Sequence, residues 1–142
     1  MAFFNDFFEQ SAKGHHDFSD QNSASGYYMM LLNAAPAATN TVKADIVSTE
    51  ISGAGYDAGG KHLSDITVSE TAGVVTVDFG DVSWGASASF TARAMAVYRK
   101  GTHNSLVDPL VCFEDFSSDE TVTNATFTYS VNASGLLTYQ SA

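Results

Sequence analysis

Strand-length apolar segments, separated by turn-forming residues, recur from residue 27 to the end of the chain and limit its fold more than any other feature. Glycine, serine, asparagine and aspartate supply most of the connections. Six or seven short strands at such spacing are typical of sandwich and barrel domains. The sequence therefore predicts a mainly β, single-domain β-sandwich or jelly-roll-like fold, with strands in "YYMMLLN" (27–33), "DITVSE" (65–70), "VVTVDF" (74–79), "FTARAMAVY" (90–98), "PLVCFEDF" (109–116), "ATFTYSVN" (125–132) and "LLTYQ" (136–140).

Several of these segments carry more specific expectations. The continuous apolar run at 27–33 predicts a strand that is buried on both faces. The "TAG" sequence between 65–70 and 74–79 predicts a β-hairpin. Alternation along 90–98 predicts a strand that places five side chains on one face, namely Phe90, Ala92, Ala94, Ala96 and Tyr98.

Residues 1–14 predict a short N-terminal amphipathic helix. Within "FFNDFFEQSAK" (3–13), four phenylalanines stand at i, i+3 and i+4 spacing, and Gly14 follows where a helix can end. A helix this short is marginal alone and must dock on another surface. The aromatic stripe either covers one end of the domain's own core or anchors the chain to a neighbouring subunit, and both interpretations stay open for Phe3, Phe4, Phe7 and Phe8.

A polar loop is predicted at residues 15–26, "HHDFSDQNSASG", ahead of the β core at 27–142. His15 and His16 are adjacent, so their side chains would point in different directions on a regular element. No third ligand stands at a spacing typical of zinc sites. We expect two solvated loop histidines and no metal.

The charge balance restricts the possible partners. Six Lys+Arg oppose sixteen Asp+Glu, which gives a net charge of −10 for 142 residues. Such a surface repels the phosphates of nucleic acids and of anionic membranes. No apolar run reaches the roughly 20 residues of a membrane span, and the first residues lack the basic and apolar regions of a signal peptide. We therefore expect neither nucleic acid nor membrane as a partner.

The glycine-rich stretch "GYDAGGK" (55–61) has the G-x-x-x-x-G-K spacing of a phosphate-binding loop. His62 stands where serine or threonine should bind magnesium. The preceding "STEIS" is a poor buried strand, and the following "HLSDITVSE" has β character rather than helical character. We interpret the stretch as a structural loop in which Tyr56 lays its ring across the edge of the domain.

Other motifs do not indicate catalysis or a cofactor. "DFG" at 78–80 lacks the rest of a kinase, and the acidic run 113–120 lacks the ligand spacing of a calcium loop. Cys112 stands in an apolar run that favours a buried thiol. Trp84 favours core or edge packing, whereas a role as a sugar-stacking platform would require an exposed indole face. The sequence predicts no catalytic residue, no cofactor and no metal ligand.

The order of several segments resembles a group of small, acidic tailed-bacteriophage virion proteins. The resemblance covers most of the chain from about residue 27 and rests on order and spacing more than on one motif. The chain differs from the group at residues 15–26, and the resemblance leaves the role of these residues open. The matching segments are "LLNAAPAATN", "TVKADI", "EISGAGYDAGGKHL", "DVSWGASASFTARAMAVYRKG", "DPLVCFEDF" and "FTYSVNASGLLTY".

The resemblance implies a non-enzymatic virion component, assembled in the host cytoplasm. A capsid decoration (cement) protein that binds the major capsid protein or other virion proteins is the first expectation, and a homo-oligomer, a trimer above all, would match three-fold axes of a shell. Alternatives are a tail, neck or fibre-associated protein, or a glycan-binding adsorption module. Candidate interface residues are Phe3, Phe4, Phe7, Phe8, Tyr56 and Trp84.

Overall fold

Antiparallel strands dominate the computed structural model, which describes residues 1–132, 135 and 137–140. One short α-helix and two 3-10 turns at Lys43–Asp45 and Val47–Thr49 accompany them within that part of the chain. In chain order the elements are β1 (Ala2–Phe3), α1 (Phe7–Ala12), β2 (Tyr27–Leu32), β3 (Lys61–His62), β4 (Thr67–Thr71), β5 (Val74–Asp78), β6 (Val82–Arg99), β7 (Thr102–His103), β8 (Leu106–Val107), β9 (Leu110–Tyr129) and β10 (Leu137–Gln140).

The strands form a five-stranded sheet, a three-stranded sheet and a small hairpin. The five-stranded sheet has the order β1-β9-β6-β2-β3, the three-stranded sheet has the order β10-β5-β4, and β7 pairs with β8. All of these pairings are antiparallel. The predicted mainly β, β-sandwich-like single domain is confirmed, as is the hairpin, which turns at Ala72 and Gly73 with positive φ.

The long β6–β9 ribbon differs from the prediction, which placed separate strands at 109–116 and 125–132. The structure joins them into one strand of 20 residues. Between them, 117–124 carries exposed polar side chains, but its backbone remains paired with β6 through Thr121 and Val122. The polar composition of residues 117–124 is typical of a turn. Their pairing with β6, which is distant in sequence, cannot be recognised from local composition.

A register irregularity between β6 and β9 overturns the expectation that Phe90, Ala92, Ala94, Ala96 and Tyr98 share one face. Ala92 pairs with Glu120 and Ala94 pairs with Asp115, so residues 116–119 of β9 lie opposite the single residue Arg93. Phe90 and Ala92 pack in one core cluster, whereas Ala94, Ala96 and Tyr98 pack in the other. Irregular pairing of this kind interrupts the regular alternation of side chains along a strand.

The two core clusters lie on opposite faces of the five-stranded sheet, as the side chains of β2 show. Tyr27, Met29 and Leu31 belong to the larger cluster, and Met30 and Leu32 belong to the smaller one. All five side chains are fully buried. The predicted strand with two buried faces is thereby confirmed.

The N-terminal helix exists but is shorter than predicted, because the residues before it belong to the sheet edge. Phe3 lies on β1 opposite Cys112. The Phe4 N–H donates to Val111 O, and the Asn5 N–H donates to Ala38 O. These bonds commit the backbone of residues 3–5, so helix α1 begins only at Phe7. Past its end, Gly14 has φ +77°, as the sequence indicated.

Candidate partner-binding surface

Three of the four N-terminal phenylalanines, Phe3, Phe7 and Phe8, form a connected aromatic cluster with one strongly exposed member. Phe4 and Phe7 are fully buried, Phe3 is partly buried, and Phe8 is 52% exposed. The Phe8 ring centroid lies 5.3 Å from that of Phe3 and 5.3 Å from that of Phe7. The buried pair therefore belongs to the core, while Phe3 and Phe8 together form an accessible surface, here called the Phe3/Phe8 patch.

Packing beneath the patch holds it in place. Phe3 stacks on Phe7 with a centroid distance of 5.0 Å and an interplanar angle of 21°. Phe4 turns to the opposite cluster and contacts Phe113 at 4.8 Å. A rigid, exposed aromatic side chain loses little entropy when a partner covers it, and aromatic residues dominate interface hot spots. The patch has the character of an anchor.

Trp84 lies in the core and offers no face to a ligand. Its side chain is only 3% exposed. The indole stacks on Tyr56 at 6.2 Å and contacts Phe127 at 5.8 Å and Phe90 at 6.4 Å. A sugar-stacking platform at this residue would need the core to open.

The hydroxyl of Tyr56 fastens the glycine-rich loop to the sheet. It donates to Glu50 Oε1 over 2.8 Å and accepts the Leu31 N–H over 3.1 Å. The same Glu50 oxygen accepts the Gly59 N–H over 2.6 Å. Burial is the main factor that raises the pKa of the Tyr56 hydroxyl well above its usual value, so the phenol stays protonated and keeps donating.

Two glycine amides of the loop already have hydrogen-bond partners within the protein, which removes them from a phosphate cradle. The Gly59 N–H serves Glu50, and the Gly60 N–H donates to Asp57 O over 2.9 Å. Gly60 also presses against β2, where a Cβ would stand 2.0 Å from Met29 O. Free amides at a helix N-terminus are what a phosphate site requires, and here a strand, β3, follows instead.

His16 contradicts the expectation of a solvated loop histidine. Both ring nitrogens are inaccessible to solvent and lack a hydrogen-bond partner among the described residues. The ring lies 5.0 Å from Phe7 and 6.2 Å from Tyr27, centroid to centroid. Burial, helped by the positive charge of Arg99, lowers the pKa of His16 from its ordinary value of 6.5 to about 3. The imidazole therefore packs as a neutral aromatic ring.

Arg99 ties the polar loop 15–26 to the end of β6, and sequence reasoning missed it. Its Nη1 donates to His15 O over 2.7 Å, and its Nη2 donates to Asp20 Oδ2 over 3.0 Å. The side chain is almost fully buried. Burying an arginine is favourable only with a carboxylate and carbonyls to receive its donors. The scarcity of cations in this acidic chain was the one signal that could have singled it out.

Two further features that the sequence singled out, Cys112 and the acidic run 113–120, have structural surroundings in the fold. Cys112 is fully buried, and burial raises the pKa of its thiol far above the usual range. Within the acidic run 113–120, Asp115 accepts from Arg93 Nε over 2.6 Å. No group of three or more histidine, cysteine, aspartate or glutamate side chains among residues 1–132, 135 and 137–140 could hold a metal ion. No helix in that part of the chain is long and apolar enough to cross a membrane.

Comparison of the chain with protein-family models, with curated protein sequences and with solved structures finds no match.

Proposed function

We propose that this chain is a non-enzymatic structural protein of a bacteriophage virion, a capsid decoration protein that binds the major capsid protein through its N-terminal end. The single observation that supports this assignment of the binding surface is the exposure of Phe8. Its side chain is 52% exposed, although the cluster to which it belongs otherwise packs into the domain. An exposed aromatic ring with firm support suits a permanent contact better than a solvated loop does.

The overall chemistry of the chain supports a binding role. The charge of −10 keeps copies soluble and apart until they meet a complementary surface. The glycine loop serves the fold, the single thiol is buried, and the candidate tryptophan is core. Each of these three features therefore has a structural role in the fold.

The resemblance to small tailed-phage virion proteins directs the choice of partner. A decoration protein covers a shell built of symmetric capsomers, so a trimer of this chain on a three-fold axis is the expected arrangement. The Phe3/Phe8 patch would then face the shell. A tail, neck or fibre position would use the same patch against a different virion protein.

Immunogold labelling of purified virions distinguishes these positions. Antibodies raised against the chain should label heads over their whole surface, and light scattering of the purified chain should give the mass of three copies. Label confined to the tail or neck would contradict decoration and favour the alternative virion position. Virions without label at either place would contradict both.

A further inference from the structure

The sharp bend in β9 creates a cleft between its two halves, separate from the Phe3/Phe8 patch. The ring centroid of Phe116 lies 6.1 Å from that of Tyr129, thirteen residues further along the same strand. A cleft beside this ring pair has a volume of about 320 Å³ and is open to solvent. Seven of the described residues line it: Glu114, Phe116, Glu120, Phe127, Thr128, Tyr129 and Ser130.

Three partly exposed aromatic rings form the apolar surface of the cleft. Phe116 contacts Tyr129 in a tilted arrangement, and Phe127 contacts the buried Phe90 at 5.4 Å, centroid to centroid. The Tyr129 hydroxyl donates to Glu114 Oε2, which fixes its ring. Aromatic faces that are held this firmly are suited to stacking against a planar group or a cation.

The charged side chains among the described lining residues are acidic. These side chains are Glu114 and Glu120, and none of the lining residues in the described part of the chain is lysine, arginine or histidine. Glu114 engages Tyr129 with one oxygen, and Glu120 receives the Ser118 hydroxyl over 3.2 Å. Two carboxylates beside three aromatic rings are complementary to a guanidinium group. The flat face of a guanidinium stacks on a ring, while the N–H groups in its own plane donate to carboxylates.

We infer that this cleft binds an arginine side chain presented by a partner protein. Arginine suits it better than lysine because a planar guanidinium can contact a ring and a carboxylate together. A neutral sugar is the competing ligand for exposed aromatic rings. Among the described residues, the lining offers a sugar two carboxylates and two small hydroxyls but no amide side chain. The inference stands apart from the virion role, since any partner with an exposed arginine would satisfy it.

Titration with short peptides tests the inference in solution, without phage particles. The probe is acetyl-Gly-Arg-Gly-amide, and the neutral comparison is acetyl-Gly-Gln-Gly-amide. The arginine peptide should shift the ring-proton resonances of Phe116 and Tyr129 in NMR spectra and should bind more weakly as salt rises. Equal shifts with both peptides, or none with either, would overturn the inference. Shifts with neutral sugars alone would overturn it in favour of a glycan site.

Two variants that remove the same charge separate the cleft from the general acidity of the surface. Glu120→Gln changes a lining residue that is exposed, so the domain should remain folded. Asp119→Asn changes the neighbouring residue, which is equally exposed and does not line the cleft. Glu120→Gln should lower the affinity for the arginine peptide roughly three- to tenfold. Asp119→Asn should leave that affinity within about twofold of the parent value. Equal losses in both variants would show a non-specific charge effect and overturn the site.

Discussion

The rings of Phe116 and Tyr129 lie 6.1 Å apart, centroid to centroid, although the two residues are thirteen positions apart in one strand. A straight strand of that length would extend about 43 Å, at roughly 3.3 Å per residue. The β9 strand therefore folds back on itself, and register irregularities between Trp84 and Ala88 and between Ala88 and Phe90 mark the same region of its partner β6. Bulges of this kind let one long ribbon serve both layers of a sandwich.

Removal of the Tyr129 hydroxyl tests how the bend is held. Tyr129→Phe keeps the ring contact with Phe116 but deletes the hydrogen bond to the Glu114 carboxylate. We expect the free energy of unfolding to fall by about 1–3 kcal/mol, as for a hydrogen bond to a charged group. Urea denaturation followed by tryptophan fluorescence measures it, since Trp84 is buried. Unchanged stability would show that the rings alone hold the bend.

Three glycine-to-alanine substitutions should form a graded series. Gly60 combines φ +79° with a Cβ position 2.0 Å from Met29 O, Gly14 has φ +77° in open space, and Gly85 has neither constraint. Gly60→Ala should cost more than about 3 kcal/mol, Gly14→Ala about 1 kcal/mol, and Gly85→Ala close to nothing. Thermal melting of the three variants gives the ranking. A Gly60→Ala chain as stable as the Gly85→Ala chain would contradict the packing of the loop on β2.

Stability should decline in mild acid because of His16. Its folded pKa of about 3 lies below the ordinary 6.5, so the unfolded chain binds the extra proton between these values. This destabilisation by His16 is absent above pH 6.5. Below pH 6.5 the free energy of unfolding should drop by about 1.4 kcal/mol per pH unit toward pH 3. Denaturation midpoints at pH 7, 6, 5 and 4.5 measure the slope.

The matched variant for that slope is His16→Phe, which preserves an aromatic ring beside Phe7 and Tyr27 but cannot titrate. Its stability should change much less between pH 7 and 4.5. The carboxylates with lowered pKa values act mainly at the acid end of this range and below it, since Asp17, Asp20, Asp45 and Asp115 start from 3.8 and Glu9 starts from 4.5. An identical slope in the variant and the parent chain would assign the acid sensitivity to other groups.

Cys112 should be unreactive in the native protein. Full burial shields its thiol, and the raised pKa keeps it protonated, whereas alkylation requires an accessible thiolate. Iodoacetamide at pH 8 should leave the native chain unmodified over an hour and label it within minutes in 6 M guanidinium chloride, as read by mass spectrometry. Rapid labelling of the native chain would show that β9 opens away from β1.

Local patterns in the sequence were enough to predict the elements whose signals are short-range. The run at 27–33 is apolar on both faces, and the corresponding strand, Tyr27–Leu32, is buried on both. The turn residues between β4 and β5 reveal their hairpin. Gly14 ends the helical region. In each case the relevant interaction joins residues only a few positions apart.

The features that the sequence did not reveal depend on distant partners. The polar stretch at 117–124 has the composition of a turn, and only pairing with β6 makes it a strand. Helix α1 starts later than predicted because the backbone N–H groups just before it donate to the carbonyls of Val111 and Ala38. His16 has the surroundings of a loop residue in sequence and becomes buried because Phe7 and Tyr27 enclose it in space. The cleft in β9 follows from a bend that no local pattern encodes.

Binding of the purified chain to phage heads that lack it tests the proposed decoration role most directly. The parent chain should co-sediment with heads and reach saturation. Phe8→Ser, which removes a ring that is 52% exposed, should abolish that binding, while Val68→Ser, which removes a side chain that is 53% exposed on β4, should preserve it. A parent chain that stays in the supernatant, or a folded Phe8→Ser variant that still binds fully, would contradict the role assigned to the Phe3/Phe8 patch.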